Sequence, residues 1–299
     1  MDTTHPAERR LIINADDFGL TEGVNRAVLD LNAAGVLPSA TLMATGPAFR
    51  HAAHAAFMQT SLGVGCHVVL VDGRPALHAA ELPTLAPGGY LRSTLNTFML
   101  DLFRGRIAAL EIEREAIAQI RRVQSAGITV THVDTHKHTH MFPRVLGPLI
   151  RAAHACGVPA IRNPFEPAWS LRVTENAPPG RRLQVRTLRL LRHYFLRTVR
   201  AAGLRTTDGA LGVLATGSFD TAYVLRLLRR MPPGTWELVC HPGYVDAALG
   251  QAGTRLVATR ETERLALLAG LESPRPDLPT DLQPDLPRVQ LVHYGKLTA

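Results

Sequence analysis

Short apolar or β-branched runs alternate along this chain with longer stretches whose apolar residues return every three or four positions. The runs at 10–16, 40–45, 62–70, 128–136, 159–162, 210–216, 236–242 and 288–294 read as strands. The stretches at 21–35, 47–58, 107–127, 144–157, 219–230 and 259–268 read as helices. Thr21 is placed to cap the first of these and Gly35 to stop it. Strands that alternate with helices imply a parallel sheet wrapped by helices, an α/β fold. A (β/α) barrel, irregular or incomplete, is the expected architecture, with an open sheet as the alternative.

Two segments break the rhythm. Residues 71–106 hold Pro75, Pro83, Pro87 and Gly88-Gly89 with little periodicity and read as a long loop inserted over the domain. Residues 274–287 hold five prolines among acidic residues and read as a surface excursion before the last strand. One domain spanning 1–299 is expected.

Composition narrows the setting. With 46% hydrophobic residues the chain is an ordinary globular one. Cys66, Cys156 and Cys240 are far apart, which supports neither a disulfide framework nor a cysteine zinc site, and a reducing compartment is expected. No export signal or membrane span is evident, so the expected location is the cytoplasm. The net charge is +8, much of it from arginines in 181–205. Nucleic-acid binding is disfavoured, since neither zinc-finger spacing nor an aromatic-rich strand accompanies that charge and only 5% of residues are aromatic.

Candidate chemistry collects at the carboxyl ends of the expected strands. The segment 131–140 places His132, Asp134, His136, His138 and His140 at alternate positions, a spacing that in extended chain projects one row of metal donors. Asp16 and Asp17 close the first strand, His67 lies in an apolar strand, and His241 stands where another strand breaks. Each has an ordinary alternative: a helix-entry turn, a satisfied core histidine, a loop turn. Their shared position at the end where α/β barrels build active sites favours a single site. If His67 and His241 face that site, Cys66 and Cys240 face the helices and serve packing.

The motifs NADDFGLT at 14–21, GVGCHVVL, THVDTHKHTHMFP, IRNPFEP, CHPGYVD and TRETERLALL stand in the order found in the YdjC-like carbohydrate deacetylase family, which the chain resembles over nearly its whole length. VNRAVLDLNAAGVLPSATLMATGPAF with HVVLVDGRP resembles its hopanoid-biosynthesis-associated branch. The resemblance implies a hydrolase that removes an N-acetyl group from an amino sugar, in that branch the N-acetylglucosamine head group of a hopanoid lipid. It assigns Asp17, His67 and His136 to one divalent metal, Zn²⁺ or Mg²⁺, with Asp16 as general base and His241 as general acid. The two aspartates remain interchangeable at this stage. Asp134, His138, His140 and Arg162 are expected beside the ligands or the substrate.

Arg182, Arg186, Arg189, His193, Arg197 and Arg200 fall within about 80° on a helical wheel, a basic face suited to an anionic membrane surface or simply to water. The expected partners are thus an amino-sugar or glycolipid substrate and a peripheral membrane contact, with no nucleic acid. A homodimer is allowed, the oligomeric state being unreadable from the chain. A deacetylase of soluble chito-oligosaccharides and a two-metal phosphoesterase or isomerase on the same barrel are the rival enzyme readings.

Overall fold

The computed structural model describes residues 8–175, 177–271 and 287–297. Elements run β1 (Arg9–Phe18), α1 (Glu22–Ala33), β2 (Ser39–Leu42), α2 (Phe49–Met58), β3 (Gly63–Val68), α3 (Leu95–Phe103), α4 (Ala109–Ser125), β4 (Val133–Thr135) and α5 (Pro143–Ala155). They continue with α6 (Ala168–Val173), α7 (Pro179–Leu188), α8 (Arg192–Ala201), β5 (Gly209–Leu211), α9 (Thr221–Arg230), β6 (Gly234–Cys240), α10 (Ala247–Gln251), α11 (Ala258–Leu271) and β7 (Gln290–Leu291). Every strand pairing is parallel, in the order β4-β3-β2-β1-β6-β5, with β7 added against β1.

The sheet curls into a half-barrel, the irregular α/β barrel expected. Its seam runs between β4 and β5. There the segment at 159–162, expected as a strand, contributes only isolated bridges from Ala160 to Arg205 and from Ile161 to Val133. Ile161 N donates to Arg205 O at 2.9 Å, and Ala210 N to Phe165 O at 3.3 Å.

Strand periodicity divides two environments. Leu11, Ile13 and Ala15 of β1, Ala40 and Leu42 of β2, Val64, Cys66 and Val68 of β3, and Leu238 and Cys240 of β6 join the main apolar core under the helices. The intervening residues Asn14, Asp16, Ser39, Thr41, His67 and Glu237 are buried as well, yet polar. Alternate side chains of a strand face opposite ways. The barrel therefore wears its apolar side outward and keeps polar groups within. Both strand cysteines pack in the apolar layer, as their spacing implied.

Local signals hold at the first helix: Thr21 Oγ1 accepts from Val24 N at 3.2 Å, and Gly35 takes the left-handed φ of 75° that lets the chain leave it. Three expectations need correction. Residues 71–106 contain α3 and two short 3-10 turns, and their backbone is pinned by α4. Glu111 accepts from Thr84 N and Leu85 N, while Glu115 accepts from Ala76 N and Leu77 N. These acceptors, one turn apart on the helix, replace the periodicity the segment lacks. The basic helix is two helices, α7 and α8, joined by a 3-10 turn at Arg189–Leu191. The strand expected at 128–136 is formed only over Val133–Thr135. Residues 274–286 of the proline-rich stretch lie outside the described residues.

Candidate functional site

β1 ends in a bulge. Its register against β2 shifts between Ala15 and Phe18, and Asp17 adopts a φ of 61°. Neighbours on a regular strand point apart; the extra residue and the left-handed turn bring both carboxylates to one cleft instead. That cleft, of about 580 Å³, crosses the carboxyl ends of the strands and also receives His67, His136, His138 and His241.

Asp17 Oδ1 lies 3.6 Å from His67 Nε2 and 3.4 Å from His136 Nδ1, and the two nitrogens are 3.3 Å apart. Three donors at this spacing suit one cation bonded to each at about 2.0–2.2 Å. His67 faces them with Nε2 while its Nδ1 sits 2.8 Å from Asp134 Oδ1, the carboxylate partner that orients a ligating imidazole. Asp17 is fixed from behind, because Arg260 Nη2 donates to its Oδ2 at 2.6 Å and leaves Oδ1 to the donor set. Burial opposes ionisation of Asp17, but Arg260 and then His136 outweigh it and hold the carboxyl well below the usual range. Burial likewise opposes a charged His67, yet Asp134, Asp16 and Asp17 push its pKa up to about 9. The site favours positive charge there.

A second cluster, Asp16, His67 and Asp134, is close enough to share an ion. A guanidinium already fills it. Arg162 Nη1 and Nη2 donate to the two oxygens of Asp16 at 2.8 and 2.7 Å, and Nη1 also pairs with Asp134. Arg162 Nε donates to Glu237 at 2.8 Å, and Thr41 Oγ1 bridges Asp16 and Asp134. Burial resists ionisation of Asp16, and Arg162 foremost overcomes it, so this carboxyl stays ionised. Four buried carboxyl groups thus touch two buried guanidiniums; burial pushes Glu237 up to about 7, and the negative charge that remains beside His67 favours a cation in the first cluster. The donor set fits a single metal and gives no second metal a place among the described residues.

His241 approaches Asp16 from β6, with Nε2 3.9 Å from Oδ2. Glu263 of α11 stands behind it, accepting from His241 N at 2.6 Å with Oε2 3.9 Å from Nδ1. His241 Nδ1 and Glu263 Oε1 both lack a partner.

The expected row of histidines is not formed. Past Thr135 the chain turns through Lys137 and His138, with φ of 57° and 52°, which breaks the alternation. His136 reaches the donor set and His138 the cleft, where its Nδ1 has no partner and burial, with Arg162, pushes its pKa down to about 3. His140 does not reach the cleft: it is buried, bonded to Thr135 Oγ1 at 2.8 Å and to Arg162 O at 3.2 Å. His132 stacks on Tyr294 at 3.8 Å, in space kept by Gly65, where a Cβ would lie 2.4 Å from the ring. All four non-glycine residues of positive φ among the described residues, Asp17, Asp72, Lys137 and His138, line this one cleft. Each costs about 1–3 kcal/mol, and such strain gathers at functional sites.

Burial, followed by Arg162 for His132 and by His138 for His140, holds both core imidazoles well below their ordinary pKa. Below about pH 6.5 the unfolded chain binds two protons that the fold refuses. The stability they confer is complete above that pH and falls as pH drops, by about 1.4 kcal/mol per unit for each. Because His67 and other buried groups titrate in the same window, the rings are read one by one: NMR titration of the imidazole carbons of metal-free protein between pH 7 and 5.5 should find both neutral throughout, and protonation of either ring in the folded state would overturn this.

Sequence reading missed Arg260, Glu263, Glu237 and Tyr294. Glu237 in the apolar run WELVC carried the same signal as His67, and Arg260 and Glu263 lie one helical turn apart. Of the basic helix, Arg186, Arg197 and Arg200 are exposed, whereas Arg182 turns inward to donate to Leu171 O and Thr174 O, each at 2.7 Å, and Arg189 is half-buried.

The fold and the cleft define an α/β half-barrel with a strained polar site at its strand ends. The chain belongs to the YdjC family: the profile described as YdjC-like protein matches residues 10–275. It is 33% identical over 261 residues to a carbohydrate deacetylase of Geobacillus stearothermophilus, covering 87% of this chain and 89% of that one. A chitooligosaccharide deacetylase of Salmonella newport (strain SL254) is 29% identical over 277 residues, covering 88% of this chain and 94% of the relative. Among solved structures, a protein described as a cellobiose-phosphate cleavage protein from Enterococcus faecalis V583 has the same fold, with a TM-score of 0.67, 24% identity and coverage of 87% of this chain and 91% of that chain.

Proposed function

We propose that this chain is a metal-dependent N-deacetylase of amino sugars, with the N-acetylglucosamine head group of a hopanoid glycolipid as its substrate. The observation that carries the reading is the convergence of Asp17, His67 and His136 on one point, flanked by Asp16 and His241, in a relative of named carbohydrate deacetylases. A Zn²⁺ or Mg²⁺ ion held by these three side chains would supply Lewis acidity toward the acetyl carbonyl and toward water. Asp16, kept ionised and oriented by Arg162, takes a proton from the attacking water. A C–O bond forms at the carbonyl carbon, the C–N bond breaks, and His241 delivers a proton to the departing amine nitrogen. His138, neutral and with Nδ1 unpartnered, offers a hydrogen bond to the bound sugar. Acetate and a free amino sugar leave.

The cleft wall supports the apolar part of the substrate. Leu95 and Met99 of α3, Met141, Phe142, and Val185 and Leu188 of α7 line the cleft together with its charged groups. Leu183 of α7 is 67% exposed and Leu190, in the turn between α7 and α8, 81%, and Arg186 and Arg197 are exposed as well. A surface of this composition seats in the head-group layer of an anionic membrane. No described helix is long and apolar enough to cross one.

Acetate release from N-acetylglucosaminyl hopanoid and from N,N'-diacetylchitobiose, by metal-loaded protein, tests the reading. Release from the lipid alone is expected; release from chitobiose alone assigns a soluble chito-oligosaccharide substrate, and none from either overturns the deacetylase. Wild type is expected to sediment at low salt with vesicles containing anionic lipid, and Arg186→Glu/Leu190→Glu/Arg197→Glu to remain in solution. Equal sedimentation of the two would leave α7 and α8 as scaffold.

A further inference from the structure

We propose that Glu237 and Tyr294 are positioning residues, fixing the geometry of Asp16 through Arg162, so that the C-terminal segment is part of the catalytic apparatus. The proposal rests on Asp16 being the proton acceptor. A guanidinium is planar, and its five donors form a rigid fork. Glu237 Oε1 takes Nε at 2.8 Å and lies 2.7 Å from Nη2, which sets the plane in which Nη1 and Nη2 meet the two oxygens of Asp16. The other oxygen of Glu237 accepts the Tyr294 hydroxyl. Tyr294 is itself clamped, its ring stacked on His132 with an interplanar angle of 11°. The chain around it is tied to β1, where Val292 N donates to Leu11 O at 3.0 Å and Arg10 Nη2 to Lys296 O at 2.6 Å.

A continuous line of buried contacts therefore runs from Tyr294 to Asp16, from one end of the chain to the other. Its members Tyr294, Glu237 and Arg162 are all fully buried, and none lines the cleft. Burying a carboxylate in β6 is expensive, and an apolar set in place of the whole network of Glu237, Arg162 and their partners would serve stability as well or better. What the carboxylate supplies is direction for Arg162. Neither Glu237 nor Tyr294 borders the cleft or the three-donor cluster, and Asp134, the acid on Arg162 that orients His67, is also held by Thr41 and by His67 itself, so their loss acts on the rate and leaves substrate and metal binding in place.

Steady-state kinetics and metal content of Tyr294→Phe, Glu237→Gln, the double variant and Asp16→Asn test this. Tyr294→Phe keeps the stacked ring and removes the hydroxyl. We expect it and Glu237→Gln each to lower kcat by about 10–100-fold, the loss typical of an orienting partner, with KM and metal content unchanged. The double variant should be no slower than Glu237→Gln, since both act along one line. Wild-type kcat in both single variants, or losses in which KM and metal content move together with kcat, overturns the proposal. Should Tyr294→Phe fail to fold, Glu237→Gln, which keeps its shape and an oxygen for Arg162, decides alone. Full activity in Asp16→Asn defeats the base assignment itself, whereas an inactive Asp16→Asn beside fully active Tyr294→Phe and Glu237→Gln defeats only the positioning role.

Discussion

His136→Ala is expected to lose bound metal and deacetylase activity together. The three-donor cluster joins Asp17 to two adjacent imidazoles, and His136 is the member held least by its neighbours, being 19% exposed at the side chain where His67 is 2%. Removing one of so few protein ligands forfeits a large part of the binding free energy. Asp134→Asn provides a graded comparison: its carboxylate orients His67 from the far side, and losing it should weaken metal affinity by about 10–100-fold without abolishing it. Metal content after dialysis, read beside acetate release, measures both. Full occupancy in His136→Ala would remove that residue from the ligand set.

Asp16→Asn and His241→Ala should keep the metal and lose about 10²–10⁴ in kcat, the range for losing a general base or acid. The arrangement at Asp16 explains why the two aspartates differ in kind although they adjoin in sequence. Asp17 presents one oxygen to two imidazole nitrogens, while both oxygens of Asp16 are engaged by Arg162. Metal lost in Asp16→Asn and retained in Asp17→Asn would exchange their roles. Glu263 bears on the same experiment, because it stands behind His241, accepting from its backbone N–H at 2.6 Å and facing the partnerless Nδ1.

Alternation in the strands was readable from single residues. Cys66 beside His67 and Cys240 beside His241 announced which side faced the helices, and the apolar layer contains both cysteines. Convergence of Asp16, Asp17, His67, His136 and His241 was also foreshadowed, since each closes or follows a strand. What lay beyond reach were features set by backbone turns and by distant partners. Nothing in THKHTH announces two successive left-handed residues, which send His136, His138 and His140 to a donor cluster, a cleft and a core respectively. The partner of Asp17 lies 243 residues away and that of Asp16 146 residues away, contacts that only the closed fold creates. Arg182 was misplaced for a related reason: a helical wheel orders residues around an axis, and only the end of α6, with Leu171 and the following Thr174, shows which sector is covered.

The barrel with its polar side turned inward limits how this lineage can vary. Along the outer face of the strands, Ala40, Val64 and Leu238 meet other aliphatic groups, so exchanges of similar volume are tolerated one at a time. Within, Arg162 is shared by Asp16, Asp134 and Glu237, and losing it strands three acidic groups in the interior. Inherited change at these positions must come as matched sets, and a homologue lacking Arg162 is expected to lack its acidic partners as well. Positions 16, 134, 162 and 237 should therefore covary as a block across the family, while their apolar neighbours on the same strands drift independently.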